Sequence, residues 1–133
     1  MRPMKLQTSR FGAIEVDDAD GAYVARDGDR PSLYVSDHLS QAWLDRAAAM
    51  IDDVAALDAS ARERLSHGDL IIEEYLTFHR EELGMDATLG ALRLVGLGVR
   101  PETFVLDYSL GTDELLVVSF DADRNLVGVA HES

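Results

Sequence analysis

The chain has 133 residues, with 12 basic and 25 acidic side chains, a formal net charge of −13 and no cysteine. That charge argues against nucleic-acid and anionic-membrane binding, because polyanions are repelled and no basic stripe is present to neutralise phosphates. The missing thiols exclude disulfides, thiolate metal sites and cysteine nucleophiles.

The length fits a single domain over residues 1–133, able to bury roughly two thirds of the surface its extended form exposes. Met1-Arg2-Pro3-Met4-Lys5-Leu6 has two basic residues but no apolar run behind them, so a signal peptide is not expected. No stretch approaches the ~18 consecutive apolar residues of a membrane span. A cytoplasmic location is the expectation that follows.

Phe11 to Val16, Ala22 to Arg26 and Ser32 to Ser36 read as short strands. Asp17-Asp18-Ala19-Asp20-Gly21 and Asp27-Gly28-Asp29-Arg30-Pro31 between them are turn chemistry, since glycine supplies positive φ and Pro31 is tolerated at a strand start. A helical zone follows. Trp43, Ala47, Met50, Val54 and Leu57 recur at spacings of four and three, with Leu44 and Ile51 widening the stripe. Ser36 or Asp37 is the expected cap, and Asp58 the expected end of this helix and start of the next. Ser60 with Glu63 is a rival capping box. Gly68 stops the second helix, and Asp69 caps a third whose face carries Ile72, Leu76, His79 and Leu83. Gly84 stops that helix, and a short fourth one would carry Leu89 and Leu92.

Leu94-Val95-Gly96-Leu97-Gly98-Val99 lacks a phosphate-loop core and reads as a tight crossover from helix to sheet. Thr103 to Leu110 alternates, Leu115 to Phe120 is apolar on nearly both faces, and Leu126 to Ala130 closes a meander. The expected fold is α+β: a two-layer, mostly antiparallel sheet of N-terminal hairpins plus a C-terminal meander, covered on one face by three or four helices.

Few residues suggest chemistry. Asp121, Asp123, Asn125 and Glu132 match positions of a calcium-loop template, but Leu126 stands where glycine is required, so a polar hairpin turn is the reading. The acidic turns at Asp17, Asp18, Asp20, Asp27 and Asp29 read as a solvated rim. His38, His67, His79 and His131 form no zinc-like cluster. His67 suits a helix C-terminus and His131 is expected to be exposed. Glu73, Glu74, Glu81 and Glu82 read as solvated helix surface. Asp107, Ser109 and Ser119 fall on the strand face away from the expected core, which is therefore expected to be partly open to water. The speculative surface or pocket residues are His79, Glu82, Asp107 and Tyr108, with His79 a general base beside Glu82 or Asp107 if the chain is an enzyme.

Glu74-Tyr75-Leu76-Thr77-Phe78-His79-Arg80-Glu81-Glu82-Leu83 resembles part of an uncharacterised family of small bacterial proteins of predicted cytosolic location. Phe104 to Leu110 followed by Asp113 to Val118 does so too, and Phe11-Gly12 and His131-Glu132-Ser133 are compatible. The family is a domain of unknown function, so the resemblance implies a bacterial cytosolic protein and transfers no catalytic or binding residue.

The favoured expectation is a non-enzymatic acidic binding protein with a basic protein as partner, in one version an immunity-like protein against a basic toxin by analogy with other small acidic proteins. No cofactor and no metal are expected. The alternatives are a small hydrolase-like enzyme using His79 with Glu82 or Asp107, and a homodimer formed through an exposed sheet face or edge strand.

Overall fold

Apolar residues alternate along the first part of the chain, and that period of two builds strands. The computed structural model describes residues 4–133. Strands β1 (Met4–Thr8) and β2 (Gly12–Val16) form an antiparallel hairpin with Leu6 opposite Ile14. The sequence alone predicts no strand at β1. Its signal is local pairing plus one docking residue: Gln41 accepts from the Lys5 amide at 3.1 Å and donates to the Lys5 carbonyl at 2.7 Å.

Strands β3 (Ala22–Val24) and β4 (Ser32–Val35) enter a larger sheet with β5 (Arg93–Arg100), β6 (Thr103–Ser109), β7 (Leu115–Phe120) and β8 (Leu126–Glu132). Its order is β3-β4-β5-β6-β7-β8. Every pair is antiparallel except β4 with β5. A parallel pair needs a long crossover, and the helices supply it: α1 (Gln41–Asp52), α2 (Val54–Leu65) and α3 (Leu70–Glu81).

The two strand groups therefore meet at β4 and β5, and β5 is where the sequence reading placed a mere crossover. Gly96 and Gly98 weaken strand propensity, but Leu97 and Val99 alternate with them and are fully buried on the helix side. The glycines exist because side chains press on the other side. A Cβ at Gly98 would lie 2.2 Å from Tyr34 Cζ and 2.6 Å from Val105 Cγ2, and one at Gly96 would lie 2.8 Å from Asp107 Oδ2.

Helix boundaries also differ from the expectation. Ser36 extends the sheet by donating its amide to the Val99 carbonyl, so it and Asp37 cannot cap α1; Ser40 does, accepting from the Trp43 amide at 3.1 Å. The stripe from Trp43 to Leu57 is not one helix, because the ladder breaks at Asp53 (φ −106°, ψ 22°) between α1 and α2. Periodicity cannot show a one-residue break that leaves the apolar face aligned. Asp58 and the Ser60–Glu63 pair consequently lie inside α2. Asp69 caps α3 as expected, accepting from the Ile72 amide at 3.3 Å. The short fourth helix is one 3-10 turn, Leu89–Ala91.

The helices lie on one face of the sheet, where Leu44, Ile51, Val54, Leu57, Ile72 and Leu76 bury against Leu97, Val99, Phe104, Leu106, Leu116 and Phe120. Trp43 is half-buried and donates its indole N–H to the Arg100 carbonyl at 2.8 Å. Replacing Ser40 by alanine leaves an orphan amide at the start of α1. It is expected to lower stability by about 1 kcal/mol, read as a shift of the urea midpoint at constant slope.

The sheet also curls. Arg100 pairs with Thr103 at one end of β6, whereas Glu132 pairs with Leu115, which pairs with Ser109 at the other end. On a flat sheet those corners would lie more than ~20 Å apart. Yet the Arg100 guanidinium grips the Glu132 carboxylate at 3.0 and 3.1 Å. Accumulated strand twist brings the diagonal corners together and makes the face away from the helices concave.

Candidate functional site: an acidic groove on the third helix

The four residues singled out in the sequence land in different environments. His79, on the buried face of α3, is fully enclosed. Its Nδ1 lies 2.8 Å from the Tyr75 carbonyl and so carries the hydrogen, leaving Nε2 to accept from the Thr112 hydroxyl at 2.8 Å. Glu82 closes α3 and is exposed. Tyr108 faces the helices and donates to Asp58 Oδ1 at 2.5 Å, while Arg62 Nε donates to the same oxygen at 3.1 Å. Burial, reinforced by that carboxylate, pushes the Tyr108 hydroxyl well above the usual phenol range.

Asp107 lies on the opposite face of the sheet from Tyr108 and His79, and both ring nitrogens of the enclosed His79 are taken by Tyr75 and Thr112 while Glu82 is exposed, so His79 pairs with neither acid. The expectation that Asp107 and Ser109 are open to water is overturned: they are 5% and 3% exposed, while Ser119 is half-buried. Strand alternation gives the face of each residue but not what covers that face. Here the curled sheet covers itself, and Arg100, Glu132 and Tyr34 share the concave side with Asp107.

Arg100 Nε donates to the Tyr34 hydroxyl at 2.9 Å. Burial, helped by the Asp107 charge and opposed by Arg100, moves the Tyr34 hydroxyl up to about 12. No donor among the described residues reaches Asp107 Oδ1. Burial raises the Asp107 carboxyl to about 6 against the pull of Arg100. Sequence reasoning missed Tyr34 and Arg100. The available signal was the pair of glycines in β5, which mark a close approach.

Asp121 to Asn125 is a hairpin turn in which Asp121 Oδ1 accepts from the amides of Asp123 and Asn125, both at 2.9 Å, and Glu132 is engaged with Arg100. His67, exposed beyond α2, lies 3.2 Å from Glu63, and His131, also exposed, lies 2.7 Å from Glu114. His38 is exposed beside Asp18. The acidic turns are solvent-facing, and among the described residues no group of three or more His, Asp or Glu is arranged to hold a metal ion.

What the fold does assemble is a groove on the outer face of α3. It has a volume of about 420 Å³ and is lined by Leu70, Glu73, Glu74, Thr77, Phe78, Glu81 and Glu82. Helical spacing of three and four puts these residues on one side, and the inward positions Ile72, Tyr75, Leu76 and His79 anchor the other. Leu70 is 72% exposed and Phe78 half-buried, so the floor is partly apolar. None of the four glutamates has a cationic partner among the described residues. The one arginine of α3, Arg80, turns away and donates Nε to the Ala87 carbonyl at 2.9 Å. The groove thus pairs unneutralised carboxylates with accessible apolar surface.

No helix among the described residues is long and apolar enough to cross a membrane. No family model matches the chain, and neither a curated protein nor a solved structure matches it.

Proposed function

We propose that this protein is a non-enzymatic binding protein whose acidic surface takes a basic protein partner, with the outer face of α3 as the contact. The single observation that carries the reading is the groove at Leu70, Glu73, Glu74, Phe78, Glu81 and Glu82: four carboxylates without a cation among the described residues, beside exposed apolar surface. A partner presenting arginines or lysines around an apolar side chain complements it. The net charge of −13 adds long-range attraction that raises the encounter rate. The segment likeness to small bacterial cytosolic proteins is part of the same reading and supports a bacterial cytosolic setting. Neutralisation of a basic toxin is one form such a partnership takes.

The test is affinity capture from the source cells with the natural chain and with a variant carrying Glu73→Gln, Glu74→Gln, Glu81→Gln and Glu82→Gln. These positions are exposed, so the fold tolerates the change. The natural chain is expected to retain a strongly basic protein at low salt, and the variant to bind it at least about tenfold more weakly. Added salt should weaken the natural complex and affect the variant less. A search that returns no basic protein, or one that binds both forms equally, overturns the proposal.

A further inference from the structure

A second surface carries the opposite charge. Where the β3–β4 connection, α2, the 3-10 turn and the start of β5 meet, a cleft of about 590 Å³ is lined by Arg26, Arg62 and Arg93, together with Asp29, Gly90, Ala91, Leu92, Leu94 and Leu110. Three arginines lining one cleft stand out in a chain with 25 acidic residues and 12 basic ones. Elsewhere Arg30, Arg46, Arg64, Arg100 and Arg124 each meet a carboxylate. Arg26 and Arg93 have no such partner among the described residues. Arg62 is held by Asp58 through Nε and by the Leu92 carbonyl through one terminal nitrogen, which fixes its plane and leaves its remaining N–H groups unused.

A smaller lobe of about 230 Å³ shares the walls Arg62, Gly90 and Leu92 and adds Leu65, Ser66 and Leu89. The two lobes therefore offer different chemistry across a common wall: guanidinium donors on one side, leucine side chains on the other.

We infer that this cleft binds a small organic anion, its phosphate or carboxylate head held by Arg26, Arg62 and Arg93 and its apolar portion in the lobe lined by Leu65, Leu89 and Leu92. Guanidinium groups suit such heads because their planar fork makes paired hydrogen bonds to two oxygens. The larger lobe alone has the volume of a small-molecule site. The net charge of −13 disfavours free anions, so affinity here depends on the local arginines outweighing both that charge and Asp29.

Hexyl phosphate, hexanoate and inorganic phosphate are the probes, followed by calorimetry and by the amide shifts of Gly90, Ala91 and Leu92. One of the two hexyl compounds is expected to bind saturably, at least about tenfold more tightly than inorganic phosphate, and the tighter of the two identifies the head group. The double variant Arg26→Ala/Arg93→Ala, at two exposed positions, should weaken that binding by about tenfold or more. Arg46→Ala/Arg124→Ala should not, and Leu89→Ala should remove the preference for the hexyl chain. Absence of saturable binding overturns the inference. So does binding of inorganic phosphate as tight as that of the tighter hexyl compound, or equal loss in the two arginine double variants.

Discussion

Replacing Gly98 by alanine is expected to destabilise the fold by about 2–4 kcal/mol, from overpacking together with loss of a hydrogen bond to a charged donor. The added methyl would sit 2.2 Å from Tyr34 Cζ, 2.3 Å from its hydroxyl and 2.6 Å from Val105 Cγ2. Val105 is fully buried and cannot retreat, so Tyr34 must swing away. Its 2.9 Å bond from Arg100 then breaks, and the guanidinium that spans to Glu132 loses one of its anchors. Urea denaturation measures the cost. The mechanism makes a second, sharper claim: adding Tyr34→Ala to Gly98→Ala should restore part of the loss, because the clash disappears with the ring. A double variant whose loss equals the sum of the two single losses would show that the ring is not what Gly98 accommodates.

Asp107→Asn should act in the opposite direction. Asp107 is 5% exposed, its Oδ1 has no donor among the described residues, and burial raises its carboxyl from the ordinary 3.8 to about 6. The native state therefore holds a proton that the unfolded chain has already released between those two values. Stability from this group is fully present below pH 3.8 and is lost as the pH rises through 6. Asparagine keeps the shape without the charge. The variant should match the natural chain at pH 3.5 and exceed it at pH 8 by about 1–3 kcal/mol, the difference opening between pH ~4 and ~6. Thermal unfolding across that pH range reads the difference directly. A variant that is less stable at pH 8 would mean that the Asp107 charge is needed to hold Arg100, and would reverse the account of the concave face.

Both effects concern a part of the molecule that linear patterns described only halfway. Alternation through Phe104, Leu106 and Tyr108 correctly assigned the helix side of β6, and by the same logic put Asp107 on the other side. Reading that other side as wet assumed a flat sheet. The twist that carries Arg100 to Glu132 is a property of six strands together, and no window of a few residues contains it. The α3 groove was legible differently. Glu73, Glu74, Glu81 and Glu82 read as helix surface from the sequence, and they are exposed. That Arg80 turns from them to the Ala87 carbonyl depends on where the chain runs after Gly84. The arginine cleft was not legible at all, since Arg26, Arg62 and Arg93 are far apart in the chain and become neighbours only through the β4–β5 pairing and the packing of α2.

Local physics in the chain itself settled the class of fold and most of its elements: apolar residues at periods of two and of 3.6, turn residues between strands, Asp69 as a cap, and a charge that repels polyanions. Those signals act between residues a few positions apart, and each is complete within its own segment. The tertiary structure alone decided the strand order, the parallel contact that makes β5 central, the break at Asp53, the burial of Asp107 and the gathering of three arginines. Each of these depends on which distant surfaces bury one another, a choice made by the total area and volume of the packed chain rather than by any one stretch of it.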